Sequence, residues 1–166
     1  MTVTGTTNVQ LQARLLTRQQ VATKANDLVR KSRTLVNETE VFKSDMDNTQ
    51  LSNLLGVALD ADGVEVIINY IRYQVGRDDG EKPPKSWGRN QFGQRLVQRL
   101  NNLRDEAEVL AQNVLSQLEA PEGEVDQATL TDQIWLELAR ETVGQLHRYF
   151  VFRKTVPSET EQEATE

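Results

Sequence analysis

The sequence predicts an all-α protein, a bundle of four to five helices with a long N-terminal helix. Apolar residues recur at spacings of three and four over several long stretches, which is the period of an amphipathic helix. No stretch shows the strict alternation of a half-buried strand. Glycine and proline cluster between the periodic stretches, and helices joined by short connections pack antiparallel in bundles.

The first three helices are read from periodicity and from their boundaries. The first covers residues 9–37 and is rich in Gln and Arg, with few apolar positions. The second covers residues 49–59 and follows Asp47, Asn48 and Thr49, a cluster typical of helix N-caps. The third covers residues 63–77, and the Gly- and Pro-containing run at 78–84 ends it.

The last two helices carry the clearest apolar stripes. The fourth covers residues 90–119, where its apolar positions are Phe92, Leu96, Leu100, Leu103, Ala107, Leu110, Val114 and Leu118. A loop at 120–128 follows. The fifth helix covers residues 131–154, with residues 129–131 as its predicted cap and Pro157 as its stop.

Composition predicts one helical domain at residues 9–156 between two disordered ends. Residues 1–8 and the acidic tail at 157–166 are small and polar, which favours disorder. The chain has no cysteine, and no apolar run approaches the roughly 20 residues of a membrane span. We expect a cytoplasmic protein that does not contact a membrane.

Charge is unevenly distributed along this acidic chain, whose net charge is −6. Residues 14–33 contain six basic residues and one acid, and residues 64–104 contain eight basic residues and four acids. Residues 105–132 contain eight acids and no base. The regional excess of positive charge leaves room for a surface that faces RNA, although the overall balance disfavours one.

Catalytic motifs are absent from the sequence, so we expect no enzyme, no metal and no cofactor. There is no phosphate-binding Gly-rich loop, no metal-ligand pattern and no nucleophile motif. The single histidine, His147, could act as an acid or base with carboxylates, but one histidine near a helix end is more often a surface residue.

Several arginines lack the local acidic partner that a stabilising surface arginine usually has. Arg104 and Arg140 have a glutamate three or four residues away, whereas five arginines have none at those offsets: Arg72, Arg89, Arg95, Arg99 and Arg148. Such cations are candidates for contact with a polyanion. The alternative is that they are solvated or pair with acids on other helices.

Aromatic residues accompany some of these cations. Tyr70 and Tyr73 flank Arg72 near Arg77, and a second set lies at Tyr149, Phe150 and Phe152 beside Arg148, Arg153 and Lys154. Stacking surfaces next to cations are typical of proteins that bind single-stranded RNA. Aromatic residues that close the bundle would give the same pattern.

Three segments resemble, in sequence and order, the small helical subunit of type III-A CRISPR RNA-guided effector complexes. They are Leu-Ser-Asn-Leu-Leu at 51–55, Tyr-Ile-Arg-Tyr-Gln-Val-Gly-Arg at 70–77 and His-Arg-Tyr-Phe-Val-Phe-Arg-Lys at 147–154. Residues 73–77 match a Tyr-Gln-Ala-Gly-Arg motif with Val75 in place of Ala. The resemblance spans residues 49–154 with an apparent insertion between Asp78 and Asp132, and Gln50 and Ser52 stand where the family tends to have Lys and Arg.

The resemblance implies a non-catalytic subunit that stacks in several copies and contacts guide RNA, target RNA and other effector subunits. Phosphate contacts by Arg and Lys would be independent of sequence, as base pairing supplies specificity in such complexes. Our predicted RNA-binding residues are Arg77, Arg89, Arg95, Arg99 and Arg148, followed by Arg72, Arg153 and Lys154. The alternative function is a helical protein–protein adaptor that self-associates through the Tyr70 and Tyr73 side and does not bind RNA.

Overall fold

A computed structural model describes residues 3–78, 85–119 and 123–156 of the chain, and over these residues the protein is all-helical. The six α-helices are α1 Val3–Ala22, α2 Ala25–Thr39, α3 Asn48–Asp60, α4 Val64–Asp78, α5 Phe92–Gln117 and α6 Gln127–Thr155. Two 3₁₀ turns, Val41–Lys43 and Arg89–Gln91, precede α3 and α5. The all-α prediction is confirmed, and the described part of the chain contains no strand.

Helix α6 is the centre of the bundle. It packs against α2, α3 and α5, while α4 lies against α3 and α5, and α1 lies mainly against α5. The α5 stripe predicted from the sequence is buried from Phe92 to Val114, and α6 buries Ile134, Leu138 and Phe150. These side chains belong to one continuous apolar cluster, whose removal from water is the main source of stability.

The helix directions follow from contacts between side chains. On α2 and α6, Ser32 donates to the Thr142 carbonyl and Asn37 meets Tyr149, so the residue numbers rise together and the two helices run parallel. On α5 and α6, the Trp135 indole N–H donates to the Leu100 carbonyl at 2.7 Å. Because Arg104, further along α5, faces Asp132, earlier on α6, these two helices run antiparallel.

The N-terminal helical region is divided, whereas one helix was predicted over residues 9–37. The Thr23 hydroxyl donates to the Gln20 carbonyl at 2.6 Å, and the Lys24 N–H donates to the Val21 carbonyl at 3.0 Å. Hydrogen bonds between residues three apart end the α-helical ladder there. Because the region is divided, α1 packs against α5 while α2 packs against α6.

The prediction for the N-terminal end can be compared with the structure from residue 3, and the prediction for the C-terminal end only up to residue 156. Helix α1 begins at Val3, so residues 3–8 are helical where disorder was expected. Residues 1–2, the stop at Pro157 and the acidic tail at 157–166 lie outside the described residues. In the described part of the chain, no helix is long and apolar enough to cross a membrane.

Helix caps explain two other boundaries. The predicted cap of α3 is confirmed: Asp47 accepts from the Gln50 N–H, and the Gln50 side chain accepts from the Asp47 N–H, each at 3.0 Å. Helix α6 begins one turn earlier than predicted, because Asp126 caps it by accepting from the Thr129 N–H at 2.9 Å. The hydrogen bonds from Thr129 lower the pKa of Asp126.

Candidate functional site

Arg95 and Arg99, two of the predicted RNA contacts, have carboxylate partners. Arg95 on α5 forms an ion pair with Glu38 on α2, and Arg99 pairs with Glu106 two turns further along α5 at 3.1 Å. Both arginines therefore have a counter-ion, and for Arg95 it is the one foreseen by the alternative, an acid on another helix. Glu38 comes from another helix and Glu106 lies seven residues away, so neither falls at the offsets that predict local pairs.

The Arg99 pair belongs to a charge network between α2 and α5. Glu106 also contacts Lys31 at 3.5 Å, and Lys31 pairs with Asp27 at 2.9 Å. The hydrogen bond from Lys31 lowers the pKa of Asp27. Only 15% of the Arg99 side chain is exposed, so this arginine is poorly placed to meet a strand of RNA.

Arg153 and Lys154 fasten the end of α6 to the turn before α3. The Arg153 guanidinium lies 4.2 Å from the centroid of the Phe42 ring, and Lys154 Nζ donates to the Ser44 carbonyl at 2.9 Å. Both contacts are intramolecular. These two cations therefore have a structural role that the sequence pattern did not reveal.

The other four predicted RNA-binding residues are Arg72, Arg77, Arg89 and Arg148, and their side chains are still candidates for contact with RNA. Within residues 3–78, 85–119 and 123–156, none of them forms an ion pair. Arg72, Arg77 and Arg148 are exposed, and Arg89 is half-buried in the 3₁₀ turn before α5. The structure separates them, since Arg77 and Arg148 line two different grooves.

The first groove lies between α2 and the second half of α6, and we call it the α2–α6 groove. It encloses about 470 Å³ and is lined by Val29, Arg33, Gln145, Arg148, Tyr149 and Phe152. The Arg33 guanidinium lies 5.7 Å from the centroid of the Tyr149 ring, and the Tyr149 and Phe152 rings are 5.9 Å apart. The Tyr149 hydroxyl donates to Asn37 Oδ1 at 3.0 Å, which fixes the ring.

The aromatic residues of the last segment divide between this groove and the core. Phe150 is fully buried, as expected if it closes the bundle, whereas Phe152 is 50% exposed and Tyr149 is half-buried. Tyr149 and Phe152 thus present ring surface beside two arginines. This combination is suited to stacking with bases and to pairing with phosphates.

Arg33 was missed as a site residue, although the sequence contains the signal. It has no acidic residue three or four positions away, so the criterion that selects Arg148 also selects Arg33. It also belongs to the basic stretch at residues 14–33. Only the packing of α2 parallel to α6 shows that these two arginines lie in the same groove.

The second groove lies between α3 and α4, and we call it the α3–α4 groove. It encloses about 330 Å³, and its walls include Gln50 and Asn53 on α3 and Tyr70, Gln74 and Arg77 on α4. Trp87 packs edge-on against Tyr70, with ring centroids 6.5 Å apart. The segments at 51–55 and 70–77 that carry the family resemblance therefore both contribute to one groove.

Asp78 fixes the end of the α3–α4 groove. Its carboxylate accepts from the Ser86 N–H at 3.1 Å and from the Gly88 N–H at 2.7 Å, and also from the Ser86 hydroxyl and the Lys85 N–H. Four donors hold the residues before α5 against the end of α4. The carboxylate is thereby occupied as an acceptor.

His147 is half-buried near the α2–α6 groove. Burial lowers its pKa, and the neighbouring positive charge of Arg148 lowers it further. Among the described residues, no group of three His, Asp or Glu side chains is arranged to hold a metal ion. The lowered pKa favours the neutral form of this histidine, which lies beside the cation Arg148.

Comparison with known proteins adds no family assignment. No protein-family model, no curated protein and no solved structure matches this chain. The resemblance to the CRISPR small subunit accordingly stays a prediction that rests on the three short segments.

Proposed function

We propose that this chain is a cytoplasmic, non-catalytic small subunit of a type III CRISPR interference complex that contacts the backbone of guide or target RNA. The observation that carries the RNA-binding role is the α2–α6 groove. There Arg33 and Arg148 have no carboxylate partner among the described residues and lie beside Tyr149 and Phe152.

The chemistry of this groove favours a single strand. Arginine pairs with phosphate oxygens through two parallel N–H donors, and exposed aromatic rings stack on bases of any identity. None of the six described residues that line the groove is acidic. An acidic protein can bind RNA when its positive potential is local, and the groove meets that condition.

The structural contacts change the ranking of the predicted RNA-binding residues. Arg33 and Arg148 become the principal contacts. Arg72, Arg77 and Arg89, which form no ion pair with a described residue, become secondary contacts. Each of the other four predicted residues is engaged within the protein and is assigned a structural role; they are Arg95, Arg99, Arg153 and Lys154.

The CRISPR part of the proposal rests on the resemblance. The segment at 147–154 supplies Arg148, Tyr149 and Phe152 to one groove, and the segments at 51–55 and 70–77 contribute to the other. Each of the three segments thus contributes at least one residue to a surface groove, while its other apolar residues, such as Leu54, Ile71 and Phe150, lie in the core. Backbone contact suits a complex in which base pairing reads the sequence.

RNA binding is tested by fluorescence anisotropy of labelled single-stranded and duplex RNA across a salt series. The double variant Arg33→Ala/Arg148→Ala is compared with Arg95→Ala/Arg104→Ala, which removes two arginines that have carboxylate partners. We expect the first variant to lower affinity about tenfold or more and the salt slope for a single strand by about 1.4, since each phosphate contact contributes about 0.7 there. Equal losses in both variants, or no binding by the parent protein, would refute the role.

Membership in a CRISPR complex needs a separate test. The chain is co-expressed with the other type III subunits and the guide RNA of its own source, and the complex is purified through another subunit. We expect the chain to co-purify in more than one copy. Its absence from a complex that assembles without it would remove the CRISPR assignment and leave the RNA affinity to be judged alone.

One observation favours the alternative of a self-associating adaptor. Val66 and Tyr73 on α4 and Leu59 at the end of α3 are each more than half exposed. Tyr70 contributes less, because it packs against Trp87. If this face forms a dimer, light scattering will show twice the monomer mass for the parent protein and the monomer mass for Tyr73→Ala.

A further inference from the structure

We infer that the α3–α4 groove binds one adenine nucleotide, with the base against side-chain amides and the phosphate at Arg77. The site is distinct from the α2–α6 groove and shares no residue with it. A volume of about 330 Å³ lies at the small end of ligand pockets, which suits a single nucleotide. If the nucleotide is part of an RNA strand, the inference rests on the proposed RNA-binding function. If it is a free nucleotide, the inference is independent of that function.

The groove has free hydrogen-bonding groups of both kinds. The amides of Asn53 and Gln74 make no hydrogen bond to any described residue, so each offers a donor and an acceptor. The Gln50 oxygen is used in the α3 cap, which leaves its NH₂ group as a donor. Paired donors and acceptors on an amide match the N6 and N7 edge of adenine.

An unused aromatic donor lies in the same wall. Trp87 is 2% exposed, and its indole N–H has no acceptor among the residues described. A buried N–H without a partner costs free energy, and most buried indoles have one, as Trp135 does at the Leu100 carbonyl. Trp87 is among the residues that line the groove, and in the proposed complex this N–H donates to an acceptor atom of the base.

The charges of the groove favour one phosphate over a polyanion. Arg77 is the single cation among the described lining residues, and its guanidinium lies 5.7 Å from the centroid of the exposed Tyr73 ring. Asp78 is the single acid among those residues, and its oxygens already accept four hydrogen bonds. One arginine beside an amide-rich wall, whose described carboxylate is already hydrogen-bonded, fits a nucleotide better than a row of phosphates.

The test follows the two indole N–H signals in a ¹⁵N–¹H spectrum of the full chain, which contains two tryptophans. The Trp135→Phe spectrum identifies which signal belongs to Trp87. We expect AMP to shift the Trp87 signal and leave the Trp135 signal in place. Ribose 5-phosphate, which lacks the base, should have no effect. An unmoved Trp87 signal with AMP, or an equal response to ribose 5-phosphate, would overturn the inference.

Variants separate this site from the proposed RNA-binding role. Asn53→Ala/Gln74→Ala should weaken AMP binding about tenfold, as expected for loss of a base-edge contact. The control Gln98→Ala/Asn102→Ala removes two exposed amides of α5 and should not weaken it. Equal affinities in both double variants would also refute the site.

The source of the nucleotide is decided by comparing AMP with an oligoadenylate RNA. Stronger binding of the RNA, lost in Asn53→Ala/Gln74→Ala, would assign the site to a strand. AMP binding without any RNA binding would support the nucleotide site while the proposed RNA-binding role fails. If the Asn53→Ala/Gln74→Ala variant still binds RNA and the parent protein does not respond to AMP, the nucleotide site is refuted while the proposed RNA-binding role stands.

Discussion

Replacing Arg140 with alanine should destabilise the protein strongly, because this side chain caps the C-terminus of α3. Its Nε donates to the Ala58 carbonyl at 2.9 Å, and its Nη2 donates to the carbonyls of Leu59 and Ala61 at 3.2 and 3.0 Å. These carbonyls belong to the last turn of α3 and the residue after it, where oxygens lack helical partners. The ion pair with Glu137, the partner expected from sequence, is an additional contact at 2.9 Å.

The magnitude follows from the number and type of contacts. A hydrogen bond to a charged donor contributes about 1.5–3 kcal/mol when it is well buried. The Arg140 side chain is 27% exposed, so we take about 1 kcal/mol for each of the three carbonyl contacts, near the value for an ordinary hydrogen bond. Arg140→Ala should therefore cost about 3 kcal/mol. Glu137→Ala removes only the exposed ion pair and should cost about 0.5 kcal/mol.

Urea unfolding followed by circular dichroism at 222 nm compares the two variants. We expect the midpoint of Arg140→Ala to fall with no change in m-value, since the surface exposed on unfolding stays the same. In thermal unfolding, about 3 kcal/mol corresponds to a shift of roughly 6–12 °C for a chain of this size. If Glu137→Ala costs as much as Arg140→Ala, the ion pair and not the helix cap carries the stabilisation, and our reasoning is wrong.

Three further predictions concern packing, charge and pH. Gly93→Ala should lower the free energy of unfolding by about 1–3 kcal/mol, because a Cβ there would meet the Val75 side chain and lie 3.1 Å from the Trp87 carbonyl. Gly144 has open space around it, so Gly144→Ala should raise the free energy of unfolding by about 0.5–1 kcal/mol in the same assay. Arg99→Ala should cost about 1–3 kcal/mol, because it leaves the half-buried Glu106 without its closest partner, and RNA affinity should stay unchanged. Burial lowers the pKa of His147 from 6.5, so the unfolded chain takes up a proton first and stability is lost as pH falls below about 6.5. The His147→Gln variant should therefore lose less stability between pH 7.5 and 5.5 than the parent protein. Equal losses in the two proteins would contradict this assignment.

The helices themselves were predictable because their cause is local. The spacing of Phe92, Leu96 and Leu100 is enough to predict α5, since one face of a helix must be apolar to pack on the core. The cap at Asp47 was predictable for a similar reason: its partner, Gln50, lies three residues away. In both cases a short window of sequence contains all the residues that take part.

Boundaries set by competing hydrogen bonds were less predictable. Asp126 and Thr129 can both cap a helix, and the sequence favoured a cap at residues 129–131 with a start at residue 131, whereas Asp126 is the residue that accepts from the free N–H. At Thr23, the hydroxyl bond to Gln20 interrupts a stretch whose composition is helical throughout. These choices depend on small differences in energy and on where the following helix packs.

The local pairs of Arg104 and Arg140 were predictable, but contacts between residues distant in the chain were not. Arg95 meets Glu38 only because α5 runs alongside α2, and Arg140 reaches carbonyls some 80 positions away in the chain. Local offsets therefore identified which arginines lack a partner on their own helix turn. They did not identify which arginines lack a partner in the folded protein.

Helix dipoles sharpen the distinction between structural cations and candidate RNA contacts. Arg153 and Lys154 lie in the last turn of α6, where a cation interacts favourably with the negative end of the helix. Arg148 lies about two turns before the end of α6, and Arg33 lies nearly two turns before the end of α2. Because the dipole effect fades beyond the last turn, neither it nor an ion pair with a described residue accounts for these two arginines. Under the proposed function, a polyanion in the α2–α6 groove would be the partner of both.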